Sequence, residues 1–189
     1  MTLEELKDFH LVGGTALSLQ LGHRISVDLD FFGNSKFNFA DFASRAKYHF
    51  ETVEEKRKDP PIYQIFINNI KIDIVEYPYD PIEALKEIDG IRLASPKDIA
   101  AMKITAIGTR SSKKDFYDLY FLFEEYQLSE ILNFCAIKFP DKDMYHYIRS
   151  LVYFADVENN DLENVQLIKE VSWDQVKKRI EAEVRKLNI

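Results

Sequence analysis

The period of the hydrophobic pattern changes once along this chain, near residue 95, and this change constrains the fold more than any other feature. Before it, short apolar segments alternate with polar positions or end in glycine, which is typical of strands joined by helices. From Ser95-Pro96 onward, an N-cap, a proline at the first helical position and helical spacing favour helices. We therefore predict an α+β protein: a small mixed β-sheet flanked by helices over residues 1–94, followed by a helical region over residues 95–189.

The same periodicity predicts the individual elements. In the first region, alternation indicates strands at 9–12, 27–32, 52–57, 62–66 and 70–75, and apolar spacing indicates helices at 15–22 and 39–50. The pair Asn68-Asn69 between two alternating segments indicates a hairpin turn. In the second region we expect helices at 97–109, 113–126, 129–138, 142–154 and 173–187, with a polar connector over 156–171.

Composition excludes several classes of protein. With six glycines and six prolines in 189 residues, the chain is neither fibrous nor disordered. The single cysteine, Cys135, leaves no intramolecular disulfide and lies in an apolar run, so we expect a buried thiol and a reducing, cytoplasmic location. No apolar stretch approaches the roughly 20 residues that span a bilayer, which argues against a membrane protein. A net charge of −7 argues against coating of nucleic acid through bulk charge, but it allows a local basic groove.

A strand that ends in two glycines opens the candidate site. Gly13 and Gly14 follow an apolar segment, and helix formers begin at Thr15. Such a turn lets the backbone approach a phosphate closely and presents the free N–H groups of a helix start to the anion. A tight strand-to-helix turn without a ligand is the alternative. Arg24 and Ser26, a few residues later, could touch the phosphates of a nucleotide or belong to a solvated loop.

Three carboxylates follow on two predicted strands. Asp28 and Asp30 are two residues apart, so they point to the same face of a strand, where their repulsion calls for a compensating cation. Asp73 lies in a strongly apolar strand and points away from its isoleucines. Mg²⁺ takes carboxylate and phosphate oxygens, and three such acids can hold two ions about 4 Å apart for an in-line phosphoryl displacement. A solvated edge or an N-cap is the alternative for the first two acids.

Cationic side chains in the second region are candidates for phosphate contact. Lys103, Arg110 and Lys114 are spaced i, i+7 and i+11, which forms roughly one helical stripe that could receive a triphosphate if the helix continues through residues 108–112, where we expect a break. A solvated charged face is the alternative. For Lys113 and Lys114, this alternative and phosphate contact are equally supported by the sequence. Asp118 is surrounded by aromatic and apolar residues, so it needs a partner, for which Arg110 or Lys103 is the candidate.

Two blocks of the sequence resemble a known family. The first contains Gly13-Gly14-Thr15-Ala16-Leu17, then Gly22-His23-Arg24, then Ser26-x-Asp28-Leu29-Asp30-Phe31-Phe32. The second runs from Lys103 through Arg110 to Lys114-Asp115-Phe116-Tyr117-Asp118-Leu119. Together, and with Asp73 between them, they are similar to the motifs of the AbiEii/AbiGii toxin family within the DNA polymerase β-like nucleotidyltransferase superfamily.

The resemblance implies a nucleotidyltransferase fold and a set of site residues. The metal ligands would be Asp28, Asp30 and Asp73, binding two Mg²⁺ or Mn²⁺ ions. The acids of the last motif would be Asp115 and Asp118, needed for catalysis or for holding Lys103. The nucleotide-binding set would be Gly13, Gly14, Thr15, Arg24, Ser26, Lys103 and Arg110, with Lys103 contacting the triphosphate.

The resemblance also implies a function and partners. It favours transfer of a nucleoside monophosphate from an NTP to RNA, specifically the 3′ end of a tRNA. The protein would be a toxin-like component of a toxin–antitoxin or phage-abortive-infection system, with an antitoxin protein encoded nearby. Two alternatives keep the same fold: a nucleotidyltransferase acting on a small molecule such as an antibiotic, and a non-catalytic module that binds nucleotide or serves as an antitoxin.

Overall fold

The computed structural model describes residues 4–110, 112–158 and 165–187. The chain divides into two compact units. The first comprises Met1–Ala16 and Ser26–Ser95, and the second comprises Leu17–Ile25 and Pro96–Ile189. Residues 17–25, which the sequence pattern placed with the sheet, therefore belong to the helical unit.

The first unit is built on one mixed sheet of seven strands. The strands are β1 (His10–Val12), β2 (Leu29–Gly33), β3 (Val53–Arg57), β4 (Ile62–Ile67), β5 (Ile70–Glu76), β6 (Lys86–Ile88) and β7 (Ile91–Leu93). Their order across the sheet is β3-β4-β5-β2-β1-β7-β6. The pairs β2–β5 and β1–β7 are parallel, and the other neighbours are antiparallel. This sheet confirms the predicted fold class.

Two hairpins extend the sheet on either side of its centre. The predicted turn between β4 and β5 is confirmed, since Asn68 and Asn69 both have left-handed φ, 48° and 65°, as a tight two-residue hairpin requires. A second hairpin, β6–β7, was not predicted. It turns at Asp89 and Gly90, again with positive φ, and it adds to the sheet through the parallel pairing of β7 with β1.

Helix α2 (Phe39–His49) belongs to the first unit, whereas α1 (Gly13–Leu21) begins in the first unit and continues into the second; both are close to their predicted positions. The side chain of Asn38 caps α2 by accepting from the Asp41 amide at 3.2 Å. The unit has its own core of fully buried side chains, among them Phe9, Leu11, Phe42, Ile65, Ile74 and Leu93.

The second unit contains α3 (Pro96–Arg110), α4 (Lys113–Leu122), α5 (Leu128–Lys138), α6 (Tyr145–Ser150), α7 (Ala155–Glu158) and α8 (Trp173–Arg185). α4 and α6 are shorter than predicted, and α7 falls within the predicted connector. The core includes Ile99, Ile104, Phe116, Leu119, Ile131 and Ile180. Cys135 is buried here, as predicted, and burial raises the pKa of its thiol to about 12. No helix within the described part of the chain is long and apolar enough to cross a bilayer.

The segment that follows α1 is tied into the second unit by backbone hydrogen bonds. Gly22, with a left-handed φ of +60°, ends the helix. The Ile25 amide donates to the Gln166 carbonyl at 2.8 Å, and the Ile168 amide donates to the His23 carbonyl at 2.9 Å. This short pairing fixes the backbone at His23 and its neighbour Arg24.

Candidate active site

The register of two parallel strands brings two of the predicted metal carboxylates side by side. Asp30 on β2 is the direct partner of Asp73 on β5. Partners on neighbouring strands point to the same face of a sheet, about 4.8 Å apart. Both side chains are half-buried. The backbone ladder therefore holds two like charges together, an arrangement that favours a cation beside them.

The glycine motif approaches the same carboxylate from the other side. Val12, the last residue of β1, is the antiparallel partner of Asp30. Gly13 follows with a left-handed φ of +70°, and a Cβ atom on it would lie 2.5 Å from Oδ2 of Asp30. Glycine is thus required both by the backbone conformation and by the Asp30 carboxylate. Because Gly13 opens α1, the first N–H groups of this helix, which lack intrahelical acceptors, begin beside the acid.

A hydroxyl pair holds the segment that carries the remaining acid. Thr15 Oγ1 donates to the Asp28 carbonyl and lies 3.0 Å from Oγ of Ser26. Asp28 is half-buried and directly precedes β2, which begins at Leu29 and not at the predicted Val27, so Asp28 lies outside the strand. Thr15 and Ser26 were predicted as nucleotide contacts. In the structure Thr15 contacts the Asp28 backbone and the Ser26 side chain, so both residues help to hold the segment that carries Asp28.

Asp73 is held from both sides by residues that the sequence pattern did not single out as functional. Gln64 on β4 donates from Nε2 to Oδ1 of Asp73 at 2.9 Å. Lys71 Nζ lies 2.6 Å from Oδ2, two residues earlier on the same face of β5. Burial lowers the pKa of Lys71, but the ion pair with Asp73 and the charges of Asp30 and Asp28 outweigh it and raise the pKa. Lys71 and Asp73 are two residues apart on a predicted strand, which places them on the same face, and this spacing was the sequence signal for their ion pair.

The donor chemistry of this face fits a hard divalent cation. Asp30 and Asp73 offer carboxylate oxygens, the ligands that Mg²⁺ and Mn²⁺ prefer. Among the residues that the structure describes, no three acidic, histidine or cysteine side chains gather closely enough to hold an ion. The two-carboxylate pair on β2 and β5 is therefore the part of the predicted ligand set that the sheet assembles.

The second unit contains a buried cluster of charges centred on Asp118. Oδ1 of this fully buried carboxylate accepts from Arg24 Nε at 2.6 Å and lies 2.7 Å from His23 Nε2. Oδ2 accepts from Arg24 Nη2 at 3.0 Å and lies 2.5 Å from Lys103 Nζ. Burial alone would raise the pKa of Asp118, but Lys103, Arg24 and His23 hold it well below its usual range.

The same lysine binds a second carboxylate. Lys103 Nζ lies 2.6 Å from Oδ1 of Asp115, whose Oδ2 accepts from Arg110 Nε at 2.8 Å. Burial lowers the pKa of Lys103, but the charges of Asp115 and Asp118 outweigh it and raise the pKa. Burial raises the pKa of Asp115, but Lys103 and Arg110 outweigh it and lower the pKa.

These contacts test the predicted arrangement of the cations. The expected partner of Asp118 was Arg110 or Lys103: Lys103 is confirmed, and Arg110 pairs with Asp115 instead. Lys103, predicted to meet a triphosphate, is 4% exposed, and Arg24, predicted as a nucleotide contact, is 5% exposed and bound to Asp118. The stripe through Lys114 required one continuous helix, and the predicted break between the two helices is confirmed, because α3 ends at Arg110 and α4 begins at Lys113.

Similar solved structures define the class of fold. A protein of H. pylori, provisionally assigned as a nucleotidyltransferase, matches with a TM-score of 0.64 at 20% identity, over 95% of this chain and 86% of that chain. MenT4, a nucleotidyltransferase toxin from Mycobacterium tuberculosis H37Rv, matches with a TM-score of 0.53 at 12% identity, over 95% of this chain and 75% of that chain. The fold is that of the nucleotidyltransferases.

The sequence then identifies the family. Residues 3–187 match the family model described as nucleotidyl transferase AbiEii toxin, type IV TA system. An uncharacterized protein of Aquifex aeolicus (strain VF5) is 35% identical over 190 residues, which cover 94% of this chain and 87% of that protein. The chain belongs to the AbiEii family of nucleotidyltransferase toxins of type IV toxin–antitoxin systems, which confirms the resemblance noted in its motifs.

Proposed function

We propose that this protein transfers a nucleoside monophosphate from an NTP to an RNA acceptor, using divalent metal ions bound at its carboxylates. The observation that carries the proposal is the meeting of three motifs on one face of the sheet. Gly13 lies against Asp30, and Asp30 is in register with Asp73. Metal-dependent phosphoryl transfer requires a turn that a phosphate can approach closely, next to carboxylates that can bind a divalent cation.

The carboxylates would form the metal site. Asp30 and Asp73, with Asp28 on the segment before β2, would hold one or two Mg²⁺ or Mn²⁺ ions. Bound there, such ions neutralise the charge that develops on the attacking and leaving oxygens of an in-line displacement. Gly13 and Gly14 would admit the NTP phosphates to the first N–H groups of α1.

Thr15 and Ser26 would act on the metal site through Asp28. Their hydroxyls contact each other, and Thr15 contacts the Asp28 carbonyl, so they restrict the conformation of the segment that carries this acid. We therefore propose them as positioning residues, in addition to any contact that they make with the nucleotide. A segment held in this way keeps a ligand near its productive geometry without paying for reordering at each turnover.

For the residues of the buried cluster we propose a supporting role. Lys103 compensates Asp115 and Asp118, and Arg24 compensates Asp118, at almost no exposure to solvent. Arg110 differs, since 59% of its side chain is exposed while its Nε holds Asp115. Because of this exposure we keep Arg110 as a proposed nucleotide contact.

The family supports a proposed partner, and the motif resemblance supports a proposed acceptor. A type IV toxin–antitoxin assignment supports a toxin role with an antitoxin protein as partner, and the motif resemblance favours the 3′ end of a tRNA as acceptor. We propose a cytoplasmic location, where NTPs and tRNA are available. The net charge of −7 means that RNA must bind through local cations and not through the charge of the whole protein.

One experiment tests the proposal directly. The purified protein is incubated with each labelled NTP, Mg²⁺ and total RNA, with Asp30→Asn as the matched inactive control. Label in RNA with the parent protein, lost in Asp30→Asn, supports the proposal. Label only in a small molecule would assign the acceptor to the antibiotic-type alternative, and no label with any NTP would favour the non-catalytic alternative.

A further inference from the structure

Lys71 is a strand residue whose ammonium group binds a carboxylate of the proposed metal site. It shares a face of β5 with Asp73, and its Nζ lies 2.6 Å from Oδ2 of that acid. The other oxygen of Asp73 accepts from Gln64. Asp30 is the neighbour of Asp73 on β2. The ammonium therefore lies at the edge of a two-carboxylate pair, in contact with one of its members.

The electrostatic surroundings of Lys71 extend beyond its direct partner. Asp30 is in register with Asp73, and Asp28 directly precedes the strand that carries Asp30, so the ammonium lies beside a strand pair that carries two of the three proposed metal ligands and is directly preceded by the third. Its side chain is 33% exposed, so the group has a path to solvent. A flexible four-carbon stem lets the ammonium leave one carboxylate and reach another anion without moving the backbone.

We infer that Lys71 is the resident counter-ion of the carboxylates and competes with the divalent metal for Asp73. This inference rests on the proposed function, since it takes the acids to be the metal site. Without metal, the ammonium offsets part of the negative charge of the Asp30–Asp73 pair and weakens the repulsion that would otherwise destabilise the sheet further. When metal binds, the ammonium must withdraw from Asp73, because a monovalent and a divalent cation repel each other at contact distance.

The consequence is a metal site of reduced affinity until an NTP arrives. Gly13 lies against Asp30, the neighbour of Asp73, so phosphates that entered beside Gly13 would offer the withdrawn ammonium a new anionic partner. Metal and NTP therefore assist each other's binding through Lys71, a reciprocal coupling between two ligands. Neutralising the lysine should remove both the competition and most of the coupling.

The experiment measures Mn²⁺ binding to the full chain by calorimetry, without and with a non-hydrolysable NTP analogue. The neutral variant is Lys71→Met, with Lys71→Gln as a second neutral variant and Lys71→Arg as the charge-retaining one. The matched control is Lys56→Met, a lysine of the same sheet that pairs with Glu54 and not with the site. Melting curves in chelator accompany each titration.

Removing a positive charge a few ångströms from a divalent ion should tighten Mn²⁺ binding by about tenfold or more. We expect this gain in Lys71→Met and Lys71→Gln, a lower melting temperature in chelator, and a smaller effect of the NTP analogue on Mn²⁺ affinity. Lys71→Arg and Lys56→Met should bind Mn²⁺ like the parent. Unchanged or weaker Mn²⁺ binding in both neutral variants, while the parent binds Mn²⁺ and transfers nucleotide, overturns the inference alone. Absence of Mn²⁺ binding and of transfer in the parent and every variant overturns the proposed function and the inference with it.

Discussion

Replacing Lys103 by methionine should destabilise the second unit strongly, although a lysine in a family motif suggests a substrate contact. The ammonium lies 2.6 Å from Asp115 and 2.5 Å from Asp118, and both carboxylates are fully buried. Methionine keeps the volume of the side chain but leaves two buried carboxylates with one cation fewer. Loss of one partner from a buried ion pair typically costs about 3–5 kcal/mol.

Remaining contacts limit the loss to this range. Asp118 still pairs with Arg24 and His23, and Asp115 still pairs with Arg110, so each carboxylate retains at least one partner. For a protein of this size, each kcal/mol shifts the melting temperature by about 2–4 °C, which gives a fall of roughly 6–20 °C for the variant. Such a change is easily measured by circular dichroism or differential scanning fluorimetry.

The matched control is Lys177→Met in the same unit. Lys177 also lies near two carboxylates, 2.8 Å from Glu158 and 3.1 Å from Asp174, but at the surface, where solvent screens the pairs. This variant should melt close to the parent. If Lys103→Met also melted close to the parent while losing nucleotide transfer, the supporting role of Lys103 would be wrong and a direct contact with the triphosphate would be indicated.

Four further predictions follow from the geometry. Asp30→Asn should abolish transfer while leaving the metal-free fold as stable as the parent or slightly more so, because a repulsion is relieved. Gly13→Ala should lose transfer because its Cβ would collide with Asp30, whereas Gly22→Ala, equally left-handed but with open space around it, should retain transfer. Because the pKa of Asp118 is lowered by folding, its contribution to stability is complete above about pH 4 and declines as the pH falls, so Asp118→Asn should flatten the acid limb of the stability curve. Binding of tRNA should weaken steeply with salt.

Each of these predictions has an outcome that contradicts it. Near-normal transfer by Asp30→Asn would remove the metal role of this acid. Equal loss of transfer in Gly13→Ala and Gly22→Ala would show that strain, and not the approach to Asp30, is what matters at the first glycine. An acid limb unchanged in Asp118→Asn would mean that the carboxylate is not the group that titrates with unfolding. Salt-independent binding of tRNA would argue against a phosphate-contacting groove.

Local patterns determined most of the elements. The alternation on both sides of Asn68-Asn69 specified β4, β5 and their turn, since two residues that tolerate positive φ suit a tight hairpin. Ser95-Pro96 marked the start of α3, because a proline fits the first helical position. These features depend on interactions within a few residues, which a sequence displays directly.

One local signal was present but unused. The pair Asp89-Gly90 between Ile88 and Ile91 is a strong hairpin signal, and it marks the turn of β6–β7. The strands are only three residues long, too short for their alternation to stand out. Their place beside β1 depends on a parallel pairing with a strand about 80 residues earlier, which no local pattern encodes.

The sequence by itself therefore determined which residues are available for chemistry, and the tertiary structure decided what they contact. Asp30 and Asp73 were identifiable as acids in apolar strands, but only the pairing of β2 with β5 makes them direct neighbours. Lys103 was identifiable as a candidate cation, and the family resemblance suggested Asp115 and Asp118 as its partners, but its burial between them depends on the packing of the second unit. Arg24 meets Asp118 across 94 positions of the chain. Such contacts form because a buried charge needs a partner of opposite charge, and packing decides which residues are close enough to serve. Both the packing and the free-energy cost of an unpaired buried charge depend on residues far apart in the sequence.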